Sequence, residues 1–194
     1  MENSTTKSNL KIRKLIILIL IFILTFITLL IIYNRIANKD AIFTKGIDLR
    51  YRIYTKDGWS KWYKNGQIAG EKNKKILAIE AKISSDAKGH IYYNTYGTNN
   101  TFEDNDDYDG VTSGNKKDNI YGIKLGITDE LYQKYKIYYR TYNKIDGWLD
   151  YASINEISGN NEVNIEKIQI KIIDMNQMIN DNTKNPSKGF EKGV

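Results

Sequence analysis

The chain has 194 residues, no cysteine and a single proline, with 29 basic and 23 acidic side chains for a formal charge of +6. Without cysteine there are no disulfides, thiolate metal sites or thiol nucleophiles. The charge sits at the front: residues 1–45 hold seven Lys/Arg against Glu2 and Asp40, and the remainder has 22 basic and 21 acidic side chains. A basic stripe on the folded part, and nucleic-acid binding with it, is therefore not expected.

Residues 1–14 read as a basic cytoplasmic tail carrying Lys7, Lys11, Arg13 and Lys14. From Leu15 to Tyr33 the chain has no charge and no proline, and only Thr25 and Thr28 are polar. As a helix this run spans about 28 Å, close to the hydrocarbon thickness of a bilayer. A cleaved signal peptide has an apolar core of about 7–15 residues and a small-residue cleavage site. Here the run is longer and its exit offers only Ala37, which favours an uncleaved signal-anchor. The preceding positive charges put the N-terminus in the cytoplasm and everything after the 34–45 linker outside.

Three similar segments follow, spaced by 42 to 47 residues. The first opens on Leu49-Arg50-Tyr51-Arg52-Ile53-Tyr54, passes Gly58-Trp59, Trp62, Asn65-Gly66 and Ala69-Gly70, and closes on Ile79-Glu80-Ala81-Lys82-Ile83. The middle one runs from Ile91-Tyr92-Tyr93-Asn94-Thr95-Tyr96 through Phe102, Asp109-Gly110 and Ser113-Gly114 to Tyr121-Gly122-Ile123-Lys124-Leu125. The last runs from Ile137-Tyr138-Tyr139-Arg140-Thr141-Tyr142 through Gly147-Trp148, Tyr151 and Gly159 to Ile168-Gln169-Ile170-Lys171-Ile172. Opening and closing stretches alternate with period two and are rich in β-branched and aromatic residues, the pattern of half-buried strands. Lys82, Lys124 and Lys171 are expected at one outward place in all three copies, where lysine discourages edge pairing.

Such a unit cannot bury its own apolar face, so three are expected to close around a shared core. The predicted fold is all-β: three pseudo-symmetric antiparallel repeats (46–87, 88–127 and 128–173) closing as a β-prism, with a β-trefoil as the alternative, preceded by one transmembrane helix. Between the second and third copies, Thr128 to Tyr135 carries a capping residue, early acids and an apolar pair, Leu131 with Tyr135, which predicts a single helical turn. Residues 174–194 are polar and expected to be disordered.

The pattern Tyr-Arg-x-Tyr, Gly-Trp, a second aromatic three residues on, Asn-Gly, Ala-Gly and an Ile-Glu-Ala-x-Ile ending resembles the ChW repeats, clostridial hydrophobic repeats with a conserved tryptophan. The resemblance covers about residues 46–173. It is fullest in the first copy. The last copy has Tyr151 for the second Trp and Asn155-Glu156 where Asn-Gly is usual. The middle copy departs most, with Phe102 in the Trp place and an acidic loop beyond it. The resemblance implies an exported or cell-surface protein of a Gram-positive anaerobe, binding extracellular polymers or partner proteins.

Trp59, Trp62, Tyr63, Trp148 and Tyr151 are the residues whose flat rings would stack on a sugar, although Trp59 and Trp148 read more readily as core between repeats. Trp62 and Tyr63 are adjacent on a strand and face opposite ways. Arg52 and Arg140 lie outward beside Tyr54 and Tyr142 and read as solvated, with gripping a carboxylate or stacking on aromatics as the alternatives. Asn105, Asp107 and Asp109 before Gly110 imitate the start of a calcium loop, but the twelfth position is Lys116, so no EF-hand and no metal site are expected. The single histidine, His90, starts a strand with no partner signature, and no catalytic set is evident. The chain therefore reads as a non-enzymatic, cofactor-free, membrane-anchored module that binds a cell-wall or environmental polysaccharide. The alternative is a surface module for protein–protein interaction.

Overall fold

A computed structural model of the protein describes residues 2–37, 41–97, 106–179 and 185–188. The chain divides into two compact units, Met1–Lys39 and Asp40–Val194. The first is a single helix, α1 (Glu2–Ala37), whose stretch Ile12–Tyr33 is long and apolar enough to cross a membrane. The Thr25 and Thr28 hydroxyls donate to the carbonyls of Phe22 and Thr25, each at 2.8 Å, so neither presents an unpaired donor along the apolar run. The helix overruns the expected boundaries at both ends. Residues 2–14 and 34–37 hold no proline or glycine to break it.

The second unit is built from β1 (Ile47–Thr55), β2 (Gly58–Trp59), β3 (Tyr63–Lys64), β4 (Ile68–Gly70), β5 (Ala78–Ser85), β6 (Ile91–Tyr96), β7 (Asp107–Tyr108), β8 (Gly122–Ile127), α2 (Asp129–Lys134), β9 (Tyr135–Asn143), β10 (Gly147–Trp148), β11 (Ser158–Gly159) and β12 (Lys167–Asp174). It is mostly antiparallel sheet, as the alternation requires. The short helix falls where Thr128 predicted it. There Glu130 and Lys134 pair at 3.1 Å and Leu131 is buried, while the Thr128 hydroxyl bonds to the Asp129 carboxylate rather than capping the helix.

Three four-stranded sheets share the core. The first centres on β1–β5 with β2 and β3; the middle on β6–β8 with β7 and β11; the last on β9–β12 with β10 and β4. In every sheet a residue of another segment joins the closing strand. Ala69 of β4 pairs with Ile168, Ser158 of β11 pairs with Ile123, and Ser113 bridges to Ile79. The order of exchange is cyclic: first segment to last sheet, last to middle, middle to first. Gly70, Gly114 and Gly159 follow these residues. A Cβ on them would meet the backbone carbonyls of Glu166, Leu77 and Tyr121 at 2.2, 2.6 and 2.2 Å, so close strand approach requires glycine at all three.

The tyrosine at the middle of each opening strand ties its sheet to the next. Tyr51, Tyr93 and Tyr139 are buried, and their hydroxyls donate to the carbonyls of Gln67, Val111 and Glu156. The same hydroxyls reach the neighbouring sheet: Tyr51 accepts from the Ile170 amide at 3.3 Å, Tyr139 from the Leu125 amide at 3.1 Å, and Tyr93 hydrogen-bonds with the Ala81 backbone. Burial pushes all three phenols well above the ordinary tyrosine range. One apolar cluster, drawn entirely from residues 49–172, joins Leu49, Ile79, Ile91, Ile123, Ile137 and Ile168.

The register corrects two sequence alignments. Arg52, Asn94 and Arg140 stand opposite Glu80, Lys124 and Gln169. Lys124 therefore takes the place of Glu80, and Gly126 takes that of Lys82 and Lys171; the outward lysine recurs twice, not three times. Likewise Asn155 fills the place of Gly66 and Gly110, not of Asn65. The Gly66, Gly110 and Asn155 amides donate to Ile170, Ala81 and Leu125, and all three residues have φ between 62° and 83°. Asparagine is among the few side chains that adopt this conformation readily.

Part of the expected tail is ordered. Asn185 exchanges hydrogen bonds with Asp150, at 2.6 and 2.8 Å, and Lys188 pairs with Asp146 at 2.5 Å. Asp146 also accepts from Asn143 and Asn160, so residues 185–188 are anchored by a buried carboxylate that composition alone does not reveal.

Candidate functional site

The outer face of the first sheet carries an alternating stack of cations and rings. The Arg52 guanidinium lies 4.5 Å from the Trp59 ring centre and 4.6 Å from that of Trp62. Lys116 stands over Trp59 at 5.1 Å and Lys82 over Trp62 at 4.4 Å, extending the series at both ends. Trp59 rests edge-on against Tyr54, with ring centres 5.3 Å apart. The local sequence dictates this arrangement. The turn at Asp57-Gly58 folds Trp59 back opposite Tyr54, and Ser60 and Lys61 carry the chain on so that Trp62 reaches Arg52.

Arg52 is not a solvated arginine. Its Nε and one terminal nitrogen each lie 2.6 Å from a Glu80 oxygen, and Thr112 donates to the other Glu80 oxygen at 2.6 Å. A buried carboxylate held by two partners, and a guanidinium held by a carboxylate and two rings, have little capacity left for a ligand. Of the readings of Arg52, solvated, stacked on aromatics or holding a carboxylate, the geometry shows stacking on two rings beside an internal carboxylate.

The last sheet carries the same arrangement with two substitutions, Tyr151 for Trp62 and Gln169 for Glu80. Arg140 lies 4.6 Å from the Trp148 ring and 4.5 Å from Tyr151, with Lys171 over Tyr151 at 4.5 Å and Lys167 over Tyr142 at 4.6 Å. Gln169 replaces the acid: its amide oxygen accepts from Arg140 at 2.9 Å and from the Tyr151 hydroxyl at 2.7 Å. In the middle sheet Asn94 faces Lys124, Asp106 lies near both at 3.3 and 3.6 Å, and among the described residues no tryptophan is present.

Of the predicted residues, the first sheet brings together Trp59, Trp62 and Arg52, and the last Trp148, Tyr151 and Arg140. All four aromatics are half-buried, so Trp59 and Trp148 are neither full core nor fully open. Tyr63 stands apart from its neighbour Trp62: it is the cross-strand partner of Tyr51, with ring centres 6.3 Å apart, and packs against the core.

Asn105 lies outside the described residues. Asp107 and Asp109 flank Tyr108, and Asp109 is occupied by the Ile83 amide at 3.1 Å and by His90 at 2.8 Å. His90 thus has the partner that the sequence did not announce. Among the described residues no group of three His, Asp or Glu is placed to hold a metal ion.

Beside Trp62 the first sheet opens into a cleft of about 440 Å³ lined by Asp48, Arg50, Trp62, Lys82, Ile83 and Ser84. Arg50, Lys82 and Ser84 were not among the predicted site residues. The signal was present: Arg50 and Lys82 are outward positions on strands whose antiparallel pairing sets them opposite each other. Compared with protein-family models, with curated proteins and with solved structures, the chain matches none.

Proposed function

We propose that the chain is a membrane-anchored, outward-facing module that binds an extracellular polysaccharide on the outer face of its first sheet. The observation that carries this reading is the Trp59–Arg52–Trp62 stack beside an open cleft. Pockets of about 300–1,000 Å³ suit sugar-sized ligands, and here an aromatic wall adjoins convergent polar groups. Arg52 and its two rings form a prepaid scaffold: their side-chain entropy is lost on folding, not on binding. The helix long and apolar enough to cross a membrane, with basic residues ahead of it, supports a single-pass anchor with a cytoplasmic N-terminus.

The cyclic strand exchange, the three buried tyrosines and the shared cluster favour three copies of one unit closed as a β-prism about a pseudo-three-fold axis. The resemblance to ChW repeats accords with this, and a Gram-positive surface location would follow from it. Tryptophan fluorescence of residues 41–194, whose core is self-contained, tests the binding reading. Titration with cell-wall polysaccharide is expected to shift the emission, and Trp62→Ala is expected to weaken binding while the unit stays folded, its melting temperature lowered by the lost cation–ring contacts. An unmoved spectrum alongside capture of a surface protein would favour protein–protein interaction instead.

A further inference from the structure

Four of the side chains lining the cleft beside Trp62 can donate hydrogen bonds: Arg50, Trp62, Lys82 and Ser84. Lys82 is exposed, stands over the Trp62 ring, and has no carboxylate partner among the described residues. Arg50 engages Asp48 through its Nε alone, at 2.9 Å to each carboxylate oxygen, which leaves its two terminal nitrogens without a partner among the described residues. The Trp62 indole N–H and the Ser84 hydroxyl also lack partners there, and Asp48 is the one acid in the lining. Asp48 offsets one charge, so the cleft retains a net positive charge from Arg50 and Lys82.

The other two sheets do not offer this set. At the corresponding register the last sheet has Tyr138 for Arg50, Lys136 for Asp48 and Ile173 for Ser84. In the middle sheet the place is filled: Tyr92 replaces Arg50 and its ring lies over Gly126, within 2.5 Å of where a Cβ would stand, with its hydroxyl bound to Asn155 at 3.0 Å. Among the described residues, only on the first sheet do a ring, two available cationic groups and a neutral donor surround open space.

We propose that this cleft recognises an acidic sugar unit, a pyranose bearing a carboxylate or an esterified sulfate or phosphate, within an extracellular polysaccharide. The inference rests on the polysaccharide reading above and specifies its chemistry. Lys82 and the Arg50 terminal nitrogens hold the anion, the Trp62 edge and Ile83 meet the sugar's C–H groups, and Ser84 and the indole N–H bond its hydroxyls. Asp48 holds Arg50 in place and repels a wrongly oriented anion.

Titrating residues 41–194 with polygalacturonate, dextran sulfate and neutral dextran at low salt tests this. Polygalacturonate and dextran sulfate represent the carboxylate and sulfate forms. Binding is expected for at least one acidic polymer, weakening as sodium chloride rises. Lys82→Gln should weaken it about tenfold, the loss of one charge-assisted contact, with Lys82→Arg restoring most of it. Lys144→Gln, at an exposed lysine remote in register, should change nothing. Neutral dextran binding as tightly as the acidic polymers would overturn the acidic-sugar inference and leave polysaccharide binding standing. Acidic binding indifferent to Lys82→Gln would overturn the placement in this cleft. A flat response to all three polymers and to total cell-wall polysaccharide would overturn both.

Discussion

Raising the pH above 10 should unfold the sheet unit through three of the 15 tyrosines. Tyr51, Tyr93 and Tyr139 are at most 2% exposed, and each hydroxyl donates to a backbone carbonyl that an anionic phenolate would repel. Burial raises their folded values above the unfolded value of about 10, so the stabilisation they lend is complete below pH 10. It falls as pH climbs from there toward the folded values, because only the unfolded chain can release the protons. Each tyrosine contributes a slope of about 1.4 kcal/mol per pH unit, and the three together about 4 kcal/mol per unit. Urea unfolding of residues 41–194 at steps between pH 8 and 11.5 measures this slope. Tyr139→Phe should cost about 1–3 kcal/mol at neutral pH, through the unpaired Glu156 carbonyl and Leu125 amide, and reduce the alkaline slope by about 1.4 kcal/mol per unit. A stability flat between pH 10 and 11.5, or a slope that Tyr139→Phe leaves unchanged, would refute the picture of tyrosines bridging one sheet to the next.

Three further outcomes follow from named contacts. Arg52→Ala should lower stability by about 2–4 kcal/mol in thermal or chemical unfolding, because Glu80 is left buried with Thr112 as its remaining side-chain partner and both tryptophans lose their cation. Gly70→Ala and Gly159→Ala each place a methyl 2.2 Å from a backbone carbonyl, that of Glu166 or Tyr121 just ahead of the neighbouring strand, and should cost about 2–4 kcal/mol in the same assay. The Lys188 ammonium holds the Asp146 carboxyl below the usual carboxylate range, so the docking of residues 185–188 gains stability above an unfolded value near 4 and loses it as pH falls through the lower folded value. Amide exchange at Gly159, whose N–H donates to Ser187, should quicken in Lys188→Ala at neutral pH and in the native chain at strongly acidic pH.

Much of the fold was legible because period-two alternation states which face is buried. Leu49, Tyr51 and Ile53, and Ile168, Ile170 and Ile172, all lie in the core as their spacing demands. Alternation says nothing about partners in space. That Ala69-Gly70 pairs with the closing strand of the last segment, and Ser158-Gly159 with that of the middle one, depends on contacts about 35 to 100 residues apart in the chain. The glycines were visible as recurring marks; the close approach that requires them was not. The lysine alignment failed for a related reason: sequence similarity aligned Lys124 with Lys82, whereas hydrogen-bond register sets it opposite Asn94, in the place of Glu80.

The aromatic residues of the candidate site were identifiable by type, and their commitment was not. Reading Arg52 as solvated overlooked Glu80, which lies 28 residues away and directly across the strand pair. Once that pairing is known, Arg52 belongs to the scaffold, and the available cationic groups are those of Arg50 and Lys82, one pair further along the same two strands. His90 and Asp109 escaped notice likewise, since β6 and the turn after β7 meet only in three dimensions. The docked segment at 185–188 depends on Asp146, whose burial inside a turn cannot be inferred from a polar tail.

The most direct test of the account is the indole region of the nuclear magnetic resonance spectrum of residues 41–194 during titration with an acidic polysaccharide. The chain has three tryptophans, so three signals report separately on Trp59, Trp62 and Trp148. The account predicts that the Trp62 signal moves most, Trp59 less through the shared Arg52, and Trp148 least. Three stationary signals at saturating polymer, or a shift confined to Trp148, would contradict it.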